Sequence, residues 1–598
     1  MLFKKIEKAE VTRPRSRIPR KHLSRRARAL EKFIVEEIEI GDVHSPVTSP
    51  PVQNKNSLKP LAWWAGMKVM GTCLGLWLLL IAASLFARAI WPVDETRVLG
   101  VAWEMWTRNE IVLPSLNGEL ITRHPPLMTW LIHIGWTFLG TNEWWPRLLP
   151  ALFALASLFA IGRLARLLWR ENPEIGRYAP LMLMGMPLWA IYTTLALPDM
   201  LLVFFTLLGW WAVLIMWRHR DMRAFLLLGT ALGLGALAHG MTVYLYVLPV
   251  ALLAPLWIKG NTPIVWKYWY IDIGKAALLG LALLSIWLVP AALQGGLNYA
   301  LTWLTESLVS ARVDWLPSAQ PWWWYLAWLP IIFLPWSIWP LLWTRLWYIR
   351  REPLSVGMTF CLICGLSTLA VLSLIEVKQP PFLLPLLPIA ALMISHLLMD
   401  DSVADVGQDN PLNGMTLPIV VLGGILAVLP RLPRVEFLPE ALWTLSPFLG
   451  VGIVIAGIAL AWIPVREFHR RVQDMAIASA LLVVFGILGV GFRYDASFRI
   501  DEGTRLLASA QAQQQPVAHV GDYAGELQFS GRLFAPLQVI DPAAADYWLM
   551  THPDGLLVSY DHIWQSTGRA TMRPVFESTY RGQTLRIWRV SVPAPLIP

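Results

Sequence analysis

Residues Trp91–Pro126 read WPVDETRVLG VAWEMWTRNE IVLPSLNGEL ITRHPP and form a charged segment between long apolar ones. Only 15% of the 598 residues are charged, so the density of charge here is unusual. Charge beside a bilayer is costly and usually has a function. The segment is therefore expected either to carry chemistry at a membrane surface or to be an ordinary water-exposed connector. Its ionisable residues are Asp94, Glu95, Arg97, Glu104, Arg108, Glu110, Glu119, Arg123 and His124.

The composition outside this segment is that of a membrane protein. Hydrophobic residues make up 56% of the chain, and the mean hydropathy is +0.51. Apolar stretches of about 20 residues are long enough to cross a bilayer as helices, and they predict a polytopic α-helical membrane protein with about 13 spans. The predicted spans are residues 62–90, 144–169, 178–197, 200–217, 223–239, 242–258, 273–295, 322–347, 355–376, 381–399, 416–430, 443–463 and 475–492.

The two ends of the chain differ from its apolar core, which we place at residues 61–492. Residues 1–60 are basic and rich in Pro and Ser, so we expect a disordered tail that lies near anionic lipid and binds no nucleic acid. Residues 493–598 contain short alternating runs, which predict a small soluble α/β domain. These runs are residues 516–520, 556–560 and 584–592.

The cysteines give no sign of a redox or metal site. The chain has 3 of them, Cys73, Cys361 and Cys364, and each lies in a predicted apolar span. The last two form a C-x-x-C pair, but no histidine lies nearby. We therefore expect all of them to be small buried hydrophobic residues.

Lysine and arginine in the short connections predict the orientation in the membrane. The basic tail places the N-terminus in the cytoplasm, and alternation places the other basic connections on the same side. The first outer loop, residues 91–143, and the C-terminal domain then lie on the periplasmic face of a bacterial inner membrane. Because the cytoplasmic side has no Gly-rich phosphate loop, a transferase at the outer face would need a lipid-linked donor that has already crossed.

Asp94 is the best candidate for a catalytic base in the outer loop. Transfer of a sugar to a hydroxyl requires removal of the hydroxyl proton, and a positioned carboxylate does this. If a helix begins here, Arg97 lies one turn further on the same side, where it and the helix N-terminus suit a phosphate. The structural alternative is that Asp94 only caps the helix, with Arg97 as its surface partner.

Four more polar residues at predicted membrane boundaries complete the candidate site. His124 precedes two prolines and either binds phosphate or transfers a proton, or is simply an interfacial histidine. Asp199 either holds the outer loop in place or caps the next helix. His239 ends a span, where a helix C-terminus favours a cation. Lys378 ends another span and either neutralises a leaving phosphate or extends to the interface.

Together these residues resemble the membrane glycosyltransferases of the dolichyl/polyprenyl-phosphate mannosyltransferase superfamily, which have the GT-C fold. The similar branch is the bacterial one that includes the lipid A aminoarabinose transferases, so the chain resembles glycosyltransferase families 39 and 83. The matching pieces occur in family order. They are Asp94-Glu95-Thr96-Arg97, Asn117-Gly118, His124-Pro125-Pro126-Leu127, Asn142-Glu143, Pro146-Arg147-Leu148, Leu197-Pro198-Asp199, Ala238-His239-Gly240, the tryptophan-rich run from Pro321 to Ser337, and Lys378-Gln379-Pro380-Pro381.

The resemblance implies an inverting transfer from a polyprenyl-phosphate sugar. It makes Asp94 the catalytic base and places Arg97 and Lys378 near the donor phosphate. The remaining expected site residues are His124 and His239 at the phosphate, with Glu95, Arg123 and Asp199 in supporting positions.

The chain departs from the aminoarabinose transferases at two positions. They carry Glu-Lys before the two prolines, where this chain has Arg123-His124, and Lys-Gly where it has His239-Gly240. In that branch the Glu helps to hold a divalent metal with a His of a later outer loop, and residues 307–315 contain no His. A divalent metal is therefore disfavoured, no other cofactor is expected, and Arg123 or His124 is expected to supply the positive charge.

The predicted function is inverting transfer of a sugar from a polyprenyl-phosphate donor to a hydroxyl or phosphate acceptor at the outer face of the inner membrane. The acceptor is expected to be lipid A or another envelope glycan. Alternatives with the same fold are a protein O-glycosyltransferase and a non-catalytic relative that only binds the lipid-linked sugar. The alternative from another class is a secondary transporter, which typically has internal repeats and a site at the bilayer midplane. The chain shows no such repeat, and its charges are predicted to lie at one surface.

Overall fold

A computed structural model provides the structure of the chain, in which residues 64–598 form one compact unit. The basic tail predicted for residues 1–60 lies outside the described residues as far as residue 58. The described residues are 59–219, 222–258, 264–309, 320–349, 353–375, 378–399, 416–432, 447–461, 468–498, 500–561, 563, 572–580 and 583–590.

Helices make up nearly all of the described part before residue 500. The first twelve are α1 Lys59–Ala87, α2 Asp94–Thr107, α3 Pro126–Leu139, α4 Trp144–Leu168, α5 Pro173–Met184, α6 Pro187–Thr193, α7 Asp199–His219, α8 Met222–His239, α9 Thr242–Leu252, α10 Ala254–Trp257, α11 Trp266–Gly295 and α12 Leu297–Val309. They are followed by α13 Trp324–Ile332, α14 Pro340–Ile349, α15 Val356–Leu374, α16 Leu386–Met399, α17 Leu417–Val428, α18 Pro447–Ala461 and α19 Phe468–Phe498. Short 3-10 turns cover Trp336–Ile338, Pro380–Leu383 and Leu429–Arg431.

Six helices of the described part are long and apolar enough to cross a membrane. The predicted number of 13 spans therefore stays a prediction. Three predicted spans are wrong as single helices, because 178–197 is divided between α5 and α6, 242–258 between α9 and α10, and 322–347 between α13 and α14. Helices α6 and α14 begin at a proline, which has no N–H to continue the preceding helix. The six long segments are Met67–Ala87, Trp144–Leu168, Asp199–His219, Trp266–Gly295, Val356–Leu374 and Phe468–Gly489.

A mixed β-sheet forms the centre of the described residues after 500. Its strands are β3 Val517–Val520, β4 Gln538–Ile540, β5 Leu556–Tyr560, β6 Met572–Tyr580 and β7 Gln583–Val590, in the order β4-β3-β5-β7-β6. Strand β3 is parallel to both neighbours, whereas β7 is antiparallel to both of its own. The three alternating runs predicted as strands are confirmed as β3, β5 and β7. The other elements here are α20 Asp501–Ala512, a 3-10 turn Pro542–Ala544 and α21 Ala545–Thr551.

The first outer loop is folded around α2. The helix begins at Asp94, and its N-cap is Val93 with φ 74° and ψ −61°. The alternative prediction that Asp94 is the N-cap of this helix is therefore wrong. Positive φ is rare for a β-branched residue and marks a strained backbone of the kind found at functional sites.

Two local signals shape the rest of the loop. Strands β1 Ser115–Leu116 and β2 Glu119–Leu120 form a hairpin across Asn117 and Gly118, whose φ angles are 55° and 84°. Asn-Gly is the pair that tolerates this left-handed turn best. The two prolines after His124 start α3 at Pro126, as the sequence predicts.

Candidate active site

A buried ion pair holds the start of α2. Glu95 accepts hydrogen bonds from both terminal nitrogens of Arg88, at 2.5 and 2.9 Å. It also accepts from the backbone N–H groups of Trp91 and Ala196, at 2.6 and 2.7 Å. Burial alone raises the pKa of Glu95, but the charge and hydrogen bonds of Arg88 outweigh it and lower the pKa to about 2. Glu95 is therefore ionised, and all its neighbours are donors.

Arg147 extends this cluster to a third helix. Its Nη1 donates to the carbonyl oxygen of Arg88 at 2.9 Å, and Arg88 Nη2 donates to that of Thr194 at 3.0 Å. One charged cluster thus joins the end of α1, the start of α2, helix α4 and the segment before α7. Because Asp94 is the residue before Glu95, this cluster fixes the backbone from which Asp94 extends.

Next to the cluster lies a cavity of about 340 Å³. Its wall comes from α2, the loop before α3, the segment before α7, the turn after α8, helix α12 and the segment after α15. The polar and ionisable residues that line it are Asp94, Arg97, Thr122, Arg123, His124, Thr129, Tyr192, Asp199, His239, Thr242, Tyr246, Glu306, Ser307 and Gln379.

Six of the eight residues predicted for the site line this cavity: Asp94, Arg97, Arg123, His124, Asp199 and His239. The two others do not line it. Glu95 lies in the buried ion pair described above. Lys378 is buried, and its Nζ donates to the carbonyl oxygens of Gln320 at 3.1 Å and Ile375 at 2.5 Å. The structure brings these residues to one place, and their catalytic roles stay predictions.

Arg97 and His124 are the two cavity side chains best placed to receive an anion. Within the described part of the chain, no hydrogen bond or ion pair engages the side chain of Arg97 or His124. Burial and then the charges of Arg97, Arg123 and His239 lower the pKa of His124 to about 4. His124 is therefore neutral at pH 7, and an anion placed beside it would be attracted by the charge of Arg97 and would favour protonation of His124.

Asp199 and His239 face each other across the cavity. Asp199 is the first residue of α7, and its Oδ1 lies 3.7 Å from His239 Nε2. The other ring nitrogen of His239 is 3.2 Å from the Thr242 hydroxyl. The turn between His239 and Thr242 depends on Gly240. Its φ is 76°, and a Cβ at this position would lie only 2.8 Å from the Cβ of Ser307, so a larger residue would be strained.

Glu306 is a cavity residue that the sequence reasoning missed. It extends from α12, accepts a short hydrogen bond from the Thr122 hydroxyl, and its Oε2 lies 3.8 Å from Arg123 Nε. The Tyr299 hydroxyl on the same helix donates to the Ile121 carbonyl at 3.1 Å. Helix α12 thereby holds the segment before His124. The sequence signal for it is an acidic residue directly before residues 307–315.

The cavity also has apolar lining residues. They include Leu245, Leu372, Ile375 and Phe382, on elements that belong to or adjoin apolar helices. A ligand with a charged head and a hydrocarbon tail matches this mixed lining.

Two solved structures of one protein share this fold. ArnT from Cupriavidus metallidurans bound to undecaprenyl phosphate superimposes with a TM-score of 0.68 at 17% identity, covering 86% of this chain and 97% of that chain. The apo state of the same protein gives a TM-score of 0.67 at 17% identity, covering 88% of this chain and 98% of that one. The fold is therefore GT-C.

Sequence comparisons agree with the fold. The family model described as dolichyl-phosphate-mannose-protein mannosyltransferase matches residues 123–289. The undecaprenyl phosphate-alpha-4-amino-4-deoxy-L-arabinose arabinosyl transferase of Pseudomonas aeruginosa (strain UCBPP-PA14) is 29% identical, over 68% of this chain and 74% of that protein. Arabinosyl transferase 1 of Pseudomonas fluorescens (strain Pf0-1) is 28% identical, over 66% and 73%.

The chain thus has the GT-C fold, and its sequence is similar to the protein mannosyltransferase family model and to undecaprenyl phosphate-aminoarabinose arabinosyl transferases. It is a multi-pass glycosyltransferase of the bacterial inner membrane.

Proposed function

We propose that the cavity binds a polyprenyl-phosphate sugar, and that Asp94 is the base that activates the acceptor for an inverting transfer. The observation that carries this proposal is the placement of Asp94 in one cavity with Arg97 and His124, neither of which has a hydrogen-bonding partner among the described residues. The relatives named for undecaprenyl-phosphate sugars support the same donor class.

The proposed reaction forms one bond, breaks one bond and moves one proton. The acceptor oxygen forms a bond to the anomeric carbon while the bond from that carbon to the donor phosphate oxygen breaks. The phosphate leaves with the bonding electron pair, and a hydroxyl acceptor gives its proton to Asp94. Arg97 and His124 stabilise the leaving phosphate, because its charge increases as the bond breaks.

We place Lys378 behind the phosphate site in this proposal. It does not line the cavity, but the next four residues, 379–382, do. Tyr246 and Tyr325 hold this segment, since the first hydroxyl donates to the Phe382 carbonyl at 2.9 Å and the second accepts from the Gln379 N–H at 3.2 Å. Lys378 then acts on the phosphate through the field of its charge.

We propose that the cavity works without a divalent metal. Arg123 stands at the position where the resemblance to the aminoarabinose transferases implies a metal-binding glutamate, and its Nε lies 3.8 Å from Glu306 Oε2. Within the part of the chain that the structure describes, no group of three His, Cys, Asp or Glu residues is placed to hold a metal ion. The contact between Arg123 and Glu306 joins the segment before α3 directly to helix α12.

Strong chelation is therefore expected to leave sugar transfer unchanged, because side chains supply the positive charge. The measurement compares the initial rate of the purified protein before and after prolonged treatment with excess chelator, with a chelator-sensitive relative as the positive control. Complete loss of activity that is restored by a divalent metal would contradict the proposed cation set.

Donor affinity is expected to rise as the pH falls from about 7 to about 5. The free His124 has a pKa of about 4, and a bound phosphodiester raises that pKa, so binding takes up a proton. One proton gives a slope of up to about tenfold per pH unit. A phosphodiester does not titrate in this range, and His124→Gln should flatten the slope. Equal slopes in the two proteins would exclude His124 from the phosphate site.

We further propose that the N-terminus is cytoplasmic, that the core has 13 spans, and that residues 493–598 form a periplasmic domain. The basic connections and the sheet after residue 500 support this arrangement. Labelling of single introduced cysteines with a membrane-impermeant reagent tests it, since the native cysteines are buried. Cysteines at exposed positions such as Glu119 and Glu502 should react from the outside in intact spheroplasts.

Lipid A is the acceptor that we propose first, and protein hydroxyls are the second candidate. The relatives named as arabinosyl transferases favour the first, whereas the protein mannosyltransferase model that matches residues 123–289 favours the second. Mass spectrometry of lipid A and of envelope proteins, from cells with and without the chain, distinguishes them. An added sugar mass that depends on the chain should occur in lipid A, and its occurrence only in proteins would select the second candidate.

A further inference from the structure

Helix α2 has two functional faces. An α-helix turns by about 100° per residue, so Asp94, Arg97 and Val98 share one side. These three residues line the cavity. Gly100 and Trp103 are displaced by well over 90° from that side and contact residues 525–533, which belong to the region after the last membrane helix.

The contact between α2 and this region is close. A Cβ at Gly100 would lie 3.3 Å from the carbonyl oxygen of Gly525, so the two backbones nearly touch. The Trp103 indole N–H donates to the Leu533 carbonyl at 2.8 Å. The ring of Phe529 stacks on Trp136 of α3, with centroids 5.5 Å apart and planes within 6°.

A cation reinforces this aromatic contact. The guanidinium of Arg532 lies 3.9 Å from the ring centroid of Phe529 and 5.0 Å from that of Trp103. Cation–π contacts of this kind contribute more where they are partly desolvated. Arg532 is half-buried, so the contact belongs to the interface and not to the open surface.

The β-hairpin of the outer loop provides a second point of attachment. The Asn117 side chain donates to the Leu537 carbonyl at 2.9 Å and accepts from the Leu537 N–H at 2.6 Å. Glu104 of α2 holds the other side of the hairpin, because it accepts from the Ser115 hydroxyl at 3.0 Å and the Gly118 N–H at 2.9 Å. A continuous chain of hydrogen bonds thus runs from Leu537 through the hairpin to α2.

We infer that residues 525–537 of the C-terminal region are a positioning element of the active site, and that Asn117 and Arg532 are positioning residues for Asp94 and Arg97. This inference rests on the proposed function, since it takes Asp94 to be the base. A catalytic base that is displaced by about 1 Å loses much of its effect. The contact of residues 525–537 with the side of α2 that faces away from the cavity is therefore expected to affect the rate of transfer.

Asn117→Gly is the test variant, and Asn109→Gly is its matched control. Both asparagines have left-handed backbones, with φ 55° and 53°, so glycine introduces no strain at either. Asn109 is exposed next to the end of α2, and its side chain makes no hydrogen bond in the described part of the chain. Only Asn117→Gly therefore removes a link to Leu537.

We expect kcat of Asn117→Gly to fall by about tenfold or more, with a smaller change in KM for the donor. Amide hydrogen exchange of residues 94–107 should become faster in the same variant, while the membrane helices keep their protection. Asn109→Gly should match the wild type in both measurements. Arg532→Gln gives an independent second variant, with the same two changes expected.

Equal kcat values for the test and control variants would overturn the inference, whether or not exchange of residues 94–107 changes. Equal exchange would overturn it too, because α2 would then be held by other contacts. If the wild type shows no transfer at all, the proposed function fails, and the exchange measurement still decides whether the C-terminal region holds α2.

Discussion

Asp94→Asn is expected to abolish sugar transfer while leaving the protein folded. The amide has nearly the shape of the carboxylate but accepts no proton, and loss of a general base costs roughly 10²–10⁴-fold in rate. Asp94 is an exposed cavity residue at the start of α2, so the new amide does not have to be buried in the protein core. The measurement is kcat at saturating donor and acceptor with the protein in lipid bilayers.

Glu119→Gln is the control for this prediction. Glu119 is an exposed carboxylate on β2 of the same outer loop and does not line the cavity. Its replacement changes the charge of the loop by the same amount and should leave kcat unchanged. Turnover by Asp94→Asn close to that of Glu119→Gln would remove Asp94 from the mechanism.

Glu95→Gln is expected to have the opposite phenotype and to destabilise the fold. The ion pair with Arg88 is almost completely buried, with side-chain exposures of 5% for Arg88 and 1% for Glu95. Removing one partner of a buried pair leaves an uncompensated charge, which costs about 3–5 kcal/mol of the free energy of unfolding. The midpoint of thermal unfolding in a defined lipid environment should fall markedly.

The neighbouring Asp94→Asn is the matched control for stability, since it removes one carboxylate from the next position along the helix. The double variant Arg88→Met with Glu95→Leu removes both charges and should recover a large part of the lost stability. It should not recover full activity, because the N–H groups of Trp91 and Ala196 lose their acceptor. A thermal midpoint for Glu95→Gln equal to that of Asp94→Asn would contradict this role.

The site residues that the sequence predicts best are those with a local signature. Asp94 stands at a helix start in a charged loop, His124 precedes two prolines, and Asp199 follows a proline at a membrane boundary. Each signal depends only on neighbours in the chain, and each residue lines the cavity. The strands β3, β5 and β7 were predictable for the same reason, since their alternation is local.

What the sequence did not reveal depends on contacts between distant segments. Glu306 meets Thr122 across 184 positions, and Asn117 meets Leu537 across 420. The pairing of Arg88 with Glu95 needs both to turn inward, which hydropathy does not show. The strand β4 was missed because it has 3 residues and is largely exposed.

Lys378 marks the limit of reasoning from spacing. A lysine at the end of a span suits a phosphate equally well whether its side chain enters the cavity or lies beneath it. In the structure, the Nζ of Lys378 donates hydrogen bonds to two backbone carbonyl oxygens, and residues 379–382 line the cavity instead of Lys378. Side-chain direction at the end of a helix depends on tertiary partners.

The most direct measurement is a mass balance on purified protein in liposomes that contain a polyprenyl-phosphate sugar and lipid A. The account predicts that free polyprenyl phosphate and sugar-bearing lipid A appear in equal amounts, and that neither forms with Asp94→Asn. The contradicting result is that the donor still carries its sugar after long incubation with lipid A and folded protein.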